Sequence, residues 1–306
     1  MKKIRLCSLL LACVISVTGC GRSALLPEQS IQEISINKET ATVSYLGPEG
    51  TYTQEACGIF FENMGTYIPY ETVSDAVDAL EEGVSEYTVI PQENTIGGAV
   101  TDYVDIVINE ADLSVIGEIE LPINQNLLAI PGASLSDIKT IYSHKQGIAQ
   151  GKEWLSKNLP NAEIIEVSST AEGAKMVSEE KDISCAAIAS AACADVYGLG
   201  MLATSIQENN SNKTRFYVLS KETPFTAPSQ RLAFIASGSA EDLPSIMNTM
   251  KAQNIKLVAI HDRPMKTELG NYHYIIECAD CSYQSYNKIA EQSQMELRFL
   301  GCFNVY

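Results

Sequence analysis

Histidine is scarce: the 306-residue chain has three, His144, His261 and His273, scattered along its length. A histidine-built metal centre would need all of them plus carboxylates, so a zinc enzyme is disfavoured and no metal is expected. Positive charge is scarce as well, with 21 Lys and Arg against 38 Asp and Glu and a net charge of −17. Such a surface repels duplex nucleic acid and anionic bilayers, and no nucleic-acid partner is expected. Beyond the first twenty residues no uninterrupted apolar run is long enough to span a membrane. What is present is a 45% apolar composition with 19 Gly and 11 Pro, enough for two ordinary domains. That excludes a disordered tail and a disulfide-stapled miniprotein.

The first twenty residues place Lys2, Lys3 and Arg5 ahead of an apolar stretch from Leu6 to Val17, too short for a permanent span. This is the pattern of a bacterial export signal over 1–19. Val17, Thr18 and Gly19 directly before Cys20 resemble a lipobox, which makes Cys20 the expected lipid anchor at the outer face of a bacterial membrane. Residues 20–40 lack core periodicity and read as a tether. Removing the signal takes three positive charges away, so the net charge goes from −17 to −20. Six other cysteines follow, Cys57, Cys185, Cys193, Cys278, Cys281 and Cys302, and an exported chain permits disulfides. Cys57 and Cys193 fall in helical patterns and Cys185 in a strand-like one, which favours buried thiols. Cys278 and Cys281 form a C-x-x-C without a second pair.

From Ala41 onward β-branched runs alternate with helical patterns. ATVSYL precedes TYTQEACGIFFENM, and a helix over 73–82, capped by Thr72 and Asp75 and stopped by Gly83, precedes EYTVIP. LSVIGEIEL, NLLAIPG, KTIYS, AEIIEV, CAAIAS and RFYVLS read as strands, QGIAQGKEWLSKN as a helix, and Ser169 with Glu172 as the start of another. This is α/β grammar with two lobes. ETPFTAPSQ, residues 222–230, reads as a linker. The remainder runs strand, helix, strand, strand, helix, strand, the ferredoxin-like βαββαβ order of small regulatory modules. The expected division is 41–222 and 230–306.

Five strings sit where strands end or helices begin: LGPEGTYT at 46–53, PQENTIGG at 91–98, SHKQGIAQ at 143–150, AAIASAACADVYGL at 186–199 and NKTRFYVL at 212–219. Residues there line crevices at the carboxyl ends of strands. Together, in this order and with LGCF at 300–303, they resemble the prephenate dehydratase family from about Ala41 to Tyr306. The resemblance implies a two-lobed catalytic domain, similar to type II periplasmic binding proteins, and a cofactor-free reaction in which prephenate loses carbon dioxide and water to give phenylpyruvate. By position in the family motif, Thr214 is the hydroxyl donor that helps the leaving water. Arg215 beside it is the expected partner of a substrate carboxylate, because its planar fork suits one. Phe216 is expected to wall the pocket.

Glu93, Asn94 and Thr95 match the family's Glu-Asn-Ser with Thr in place of Ser, and Ser143, His144 and Gln146 match its Ser-His-Pro-Gln with Lys145 in place of Pro. Polar substrate contacts are expected from Glu93, Asn94, Thr95, Ser143, Gln146, Gly50 and Thr51, with backbone N–H groups at helix starts after Gly50 and Gly97 taking a carboxylate. His144 reads as a structural or positioning residue. The C-terminal part resembles the ACT domain, which implies a homodimer, phenylalanine as effector and Asp262, Arg263 and Pro264 as regulatory contacts. Two departures stand against the effector: Glu241, Asp242 and Leu243 replace Gly-Ala-Leu, and His261-Asp262-Arg263-Pro264 replaces Glu-Ser-Arg-Pro. Two other functions fit the same sequence features, an exported solute-binding lipoprotein for an aromatic or dicarboxylate ligand and an arogenate dehydratase. Turnover of prephenate separates the first alternative from the enzyme.

Overall fold

A computed structural model describes residues 36–109, 112–222 and 229–306. The signal at 1–19, Cys20 and the tether up to residue 35 lie outside the described residues, as does the 223–228 part of the linker. The first lobe runs β1 (Thr42–Leu46), α1 (Tyr52–Phe60), β2 (Thr66–Tyr70), α2 (Val73–Glu81), β3 (Tyr87–Asn94), β4 (Gly98–Ala99), α3 (Thr101–Asn109) and β5 (Ser114–Pro122). The second runs β6 (Asn126–Ala129), β7 (Thr140–Ser143), α4 (Lys145–Gln150), α5 (Lys152–Asn158), β8 (Glu163–Glu166), α6 (Thr170–Glu180), β9 (Cys185–Ala189), α7 (Ala192–Tyr197) and β10 (Gly200–Ala203). The chain then returns to the first lobe as β11 (Lys213–Ser220). The C-terminal module follows: β12 (Arg231–Ser239), α8 (Leu243–Ala252), β13 (Lys256–Pro264), β14 (Asn271–Ala279), α9 (Tyr283–Gln292) and β15 (Glu296–Val305).

Local chemistry accounts for the helix starts. Thr72 accepts from Asp75 N at 3.1 Å and donates to its carboxylate at 2.7 Å, and Ser169 accepts from Glu172 N at 3.0 Å. The sequence reads 146–158 as one helix, but the structure breaks it at Gly151 into α4 and α5. A Cβ there would lie 3.2 Å from Ile206, so the bare backbone lets the break pack against the returning chain. Strand β2 and helix α3 have no counterpart in the sequence reading. Pro69 obscures β2, yet β2 lies at the end of the sheet order, where a missing ladder donor is tolerated. All six described cysteines are free, and all but Cys281 are buried.

The second lobe has a 5-stranded sheet, β10-β6-β9-β7-β8. The first lobe and the C-terminal module share one 10-stranded sheet in the order β13-β14-β12-β15-β5-β11-β3-β1-β2, with β4 beside β3. The join is short: Asn304 and Val305 of β15 run parallel to Gly117 and Glu118 of β5. It is nevertheless a true core, because Ala233, Ile235, Ile275, Leu300 and Phe303 of the module pack with Val73, Ile90, Tyr103, Val115 and Tyr217 of the lobe. Two chain segments cross between the lobes, and they are tied together by Gln125 N to Gln207 Oε1 at 2.9 Å and Ile123 N to Asn212 O at 2.9 Å.

Gly301 decides how closely the module approaches. A Cβ at that position would stand 2.1 Å from the carbonyl oxygen of Val115, which is backbone and cannot rotate away. Gly301→Ala is therefore expected to push β15 off β5 and to cost about 1–3 kcal/mol. Thermal unfolding followed by circular dichroism checks this; an unchanged midpoint would show that the joint yields.

Candidate active site

Between the lobes lies a cavity of about 410 Å³. Its walls come from the carboxyl ends of β1 and β3, the turn from β3 into β4, the starts of α1, α4 and α6, and the first residues of β11. Thr51, Thr53, Asn94, His144, Gln146, Thr214 and Phe216 line it, together with Gln125, Gln150, Ser168, Ser169 and Thr170. The apolar part is made by Leu46, Pro91, Val100, Ile123 and Phe216. Among the described residues no Asp, Glu, Lys or Arg lines this cavity.

The hydroxyl of Thr214 is held by a neighbour. Asn94 donates its Nδ2 to Thr214 Oγ1 at 2.9 Å, and Asn94 is itself fixed because its Oδ1 accepts from Ile96 N at 3.0 Å and Gly97 N at 2.9 Å. A hydroxyl that accepts from an amide has its own proton free to donate elsewhere. Asn94 and Thr214 are also direct cross-strand partners of β3 and β11, so the ladder brings the pair together.

Three helix starts converge on the cavity. Thr51 caps α1 and donates to Leu46 O at 3.2 Å, Ser169 caps α6, and His144 caps α4 by accepting from Gln146 N on its Nδ1 at 3.3 Å. The backbone N–H ends of α1 and α6 supply partial positive charge without a cation. Burial, and then the charge of Lys145, hold His144 below its ordinary value near 6.5. Tyr52, which donates to Asn124 O at 2.6 Å, is kept neutral by its burial.

Several expected contacts lie elsewhere. Arg215 does not face the cavity. Side chains alternate along a strand, so Thr214 and Phe216 point into the crevice and Arg215 to the other side of the sheet. There it meets Glu118 with Nε to Oε1 at 2.7 Å and Nη2 to Oε2 at 2.8 Å, Glu93 through Nη1 at 3.2 Å, and Glu277 of the module through Nη2. Glu93 is thus a partner of Arg215, on the same far face, not a cavity residue. Burial opposes the charge of Arg215, but its hydrogen bonds to Glu118 and the nearby Glu277 outweigh that and raise its pKa. Burial also moves Glu118 upward, with Arg215 acting against the rise.

Thr95 is turned outward, where its hydroxyl bonds Ser211 O at 3.2 Å and accepts from Lys213 N at 3.0 Å. Ser143 is fully buried and ties β7 to β9 by donating to Ile188 O at 2.7 Å. Gly50 is a contact between lobes: its N–H is taken by Gln54 Oε1 at 2.6 Å, and its carbonyl accepts from Ser190 Oγ at 2.7 Å and Cys193 Sγ at 3.1 Å. Its φ of +82 and a Cβ position 2.8 Å from Cys193 Sγ explain the glycine. Gly97 starts no helix; it sits in the turn from β3 to β4 with its N–H engaged by Asn94. Asp262, Arg263 and Pro264 end β13, and Arg263 is paired with Asp105 of α3 at 2.8 Å.

Sequence reasoning missed Gln125, Gln150 and the Ser168-Ser169-Thr170 run. The last carried a usable signal, a hydroxyl cluster between strand AEIIEV and a capped helix. Glu277 carried one too, a lone acid inside an apolar strand, whereas Glu118 shares its strand with Glu120.

A family model described as prephenate dehydratase matches residues 43–224. The chain is 35% identical over 238 residues to the bifunctional chorismate mutase/prephenate dehydratase of Neisseria gonorrhoeae, covering 77% of this chain but 66% of that protein. It is 29% identical over 280 residues to the prephenate dehydratase of Bacillus subtilis, covering 85% and 95%. Among solved structures, the prephenate dehydratase of Arthrobacter aurescens in complex with L-Phe superposes with a TM-score of 0.76 at 29% identity, over 86% and 89% of the two chains.

His144 is expected to titrate below 6.5 by NMR. The folded state binds that proton less readily than the unfolded chain, so the stability it contributes is present above the unfolded value and lost as pH falls through the folded one. A midpoint at or above 6.5 would mean that the ring is not held as described.

Proposed function

The chain belongs to the prephenate dehydratase family, and from that premise we propose that it converts prephenate to phenylpyruvate, carbon dioxide and water without a cofactor. The carbon–carbon bond to the ring carboxylate breaks, its electron pair completes the aromatic ring, and the ring hydroxyl leaves. One proton is consumed, because the hydroxyl departs as water. Thr214 is the group placed to supply that proton or a strong hydrogen bond. The observation that carries this reading is the Thr214 hydroxyl on the cavity wall, with Asn94 donating to its oxygen so that its own proton is free to point at substrate.

The ring carboxylate becomes neutral carbon dioxide, so an apolar surround favours its loss over its retention. Phe216, Pro91, Leu46 and Ile123 offer such a surround, while the starts of α1 and α6 suit the carboxylate that stays. Gln146 and Thr51 are the side chains placed to orient it. An ammonium group would find no carboxylate on the described walls, which favours the keto acid prephenate over arogenate.

The reading divides the chain into a dehydratase region at 41–222 and an ACT-like regulatory module at 230–306, with a homodimer formed through the modules. Phenylalanine is the effector to try first, since the Arthrobacter aurescens relative was solved with L-Phe. A ligand at Asp262, Arg263 and Pro264 would compete with the Arg263–Asp105 pair. The export signal and Cys20 put the enzyme on the outer face of a membrane.

Thr214→Ala is expected to lower kcat for prephenate by about 10²–10⁴-fold with KM little changed, and Thr214→Ser to keep part of the rate. Phenylpyruvate formation reads both. Wild-type protein that binds prephenate without turnover would replace this reading with solute binding. Membrane fractionation and mass spectrometry of the mature N-terminus are expected to find lipidated Cys20; an uncleaved cytosolic chain would refute the export reading.

A further inference from the structure

Arg215 lies between two residues that line the cavity, Thr214 and Phe216, and the ladder between β11 and β3 slips at this point, with a register shift between Arg215 and Phe216. A bulge re-aims side chains and disrupts the ladder locally, so pairing to β3 is interrupted just past Thr214, while pairing to β5 runs on in register from Lys213 to Val218. At this slip the Arg215 side chain adds a cross-link to the backbone pairing. It grips Glu93 of β3, next to Asn94, and Glu118 of β5, so it ties together the strands on both sides of β11.

A third grip comes from another part of the chain. Glu277, on β14 of the C-terminal module, is fully buried, and its carboxylate accepts from Arg215 Nη2 and from Gln92 Nε2. Both donors belong to the first lobe, on β11 and β3. A buried carboxylate is stable only when paired, so the module docks with this acid matched to those two groups. Tyr103 and Tyr217, edge to face at 5.3 Å, and Phe303 against Tyr217 at 5.6 Å wall the neighbourhood with rings from lobe and module alike.

We propose that Glu277 is a positioning residue for the reaction: acting through Arg215 it fixes the segment of β11 that presents Thr214, which makes the C-terminal module part of the active site's construction. The kinetic side of this rests on the dehydratase reading; the structural side does not.

The test uses full-length protein carrying Glu277→Gln, which keeps size and removes charge. Misplacement of the hydroxyl by a fraction of an ångström to an ångström is expected to lower kcat by about 10–10²-fold while KM stays within about twofold, and Glu277→Asp is expected to recover part of the loss. Amide hydrogen exchange is expected to quicken in the peptide spanning 213–219 while the second lobe stays unchanged. Asp105→Asn, which breaks the exposed pair between α3 and Arg263, is the control and is expected to leave kcat alone. Full kcat in Glu277→Gln, or exchange that quickens uniformly over the whole chain, would overturn the proposal. If Glu277→Gln does not fold, Glu277→Asp decides: a lowered kcat at unchanged KM upholds the proposal and a wild-type kcat overturns it. Were wild-type protein inactive on prephenate, the dehydratase reading alone would fall, and exchange at 213–219 would still judge the role of Glu277.

Discussion

Consecutive side chains of β11 face opposite ways, and that two-residue period divides the strand's work. Thr214 and Phe216 look into the crevice between the lobes, while Arg215 and Tyr217 look into the core shared with the C-terminal module. Reactive surface and structural anchor are therefore one bond apart along the chain. Neither can move without the other. The register of β11 against β3 and β5 is thus the constraint on which the site depends, and much of the surrounding packing serves to hold it.

An acidic protein that is to take up a dianion, as the proposed reaction requires, faces an electrostatic problem, and a guanidinium in the pocket would be the obvious answer. The structure supplies helix starts and uncharged donors there. For a decarboxylation this has a physical merit. A cation beside the departing carboxylate would stabilise the charged reactant and lose that interaction as carbon dioxide forms, which raises the barrier. Partial charges from N–H groups can bind the retained carboxylate while the ring end sits among Phe216, Pro91 and Ile123. The cation that the motif contains is spent on organising the scaffold behind the reactive face.

Much of this was legible in the sequence. Strand and helix order, the caps at Thr72 and Ser169, and the βαββαβ tail follow from periodicity and turn chemistry, and the placement of Thr214, Phe216, Asn94, Gln146 and Thr51 at the crevice follows from their position at element ends. Arg215 was misread because a motif is a run of neighbours, whereas a strand separates neighbours onto two faces. Treating T-R-F as one cluster ignored the period of the strand that carries it. Ser143 and Gly50 were misread for a related reason: an element end can serve the crevice or the junction between lobes, and only the fold says which. The gap at β2 came from Pro69, whose presence argues against an interior strand but permits one at the sheet edge.

The cluster behind β11 is a poor stabiliser by its chemistry. One guanidinium faces Glu93, Glu118 and Glu277, two of them fully buried, with the neutral phenols of Tyr103 and Tyr217 close by and Arg231 acting on Glu118 from further off. Glu118 is pushed upward by burial, so whatever stability its titration contributes is present below its unfolded value and is lost as pH rises through the folded one. At neutral pH the burial of Glu118 therefore opposes folding while its pairing with Arg215 favours it, and replacing such a buried network by well-packed apolar residues is often neutral or stabilising. What such a network can supply is geometry. A guanidinium has donors in fixed directions, and acids from β3, β5 and β14 can satisfy them together only in one arrangement of lobe and module. Hydrophobic packing across the same interface would tolerate small shifts; this pairing does not. The joint between β15 and β5, short in backbone and closed by Gly301, is thereby given a single seating, and the hydroxyl of Thr214 inherits it.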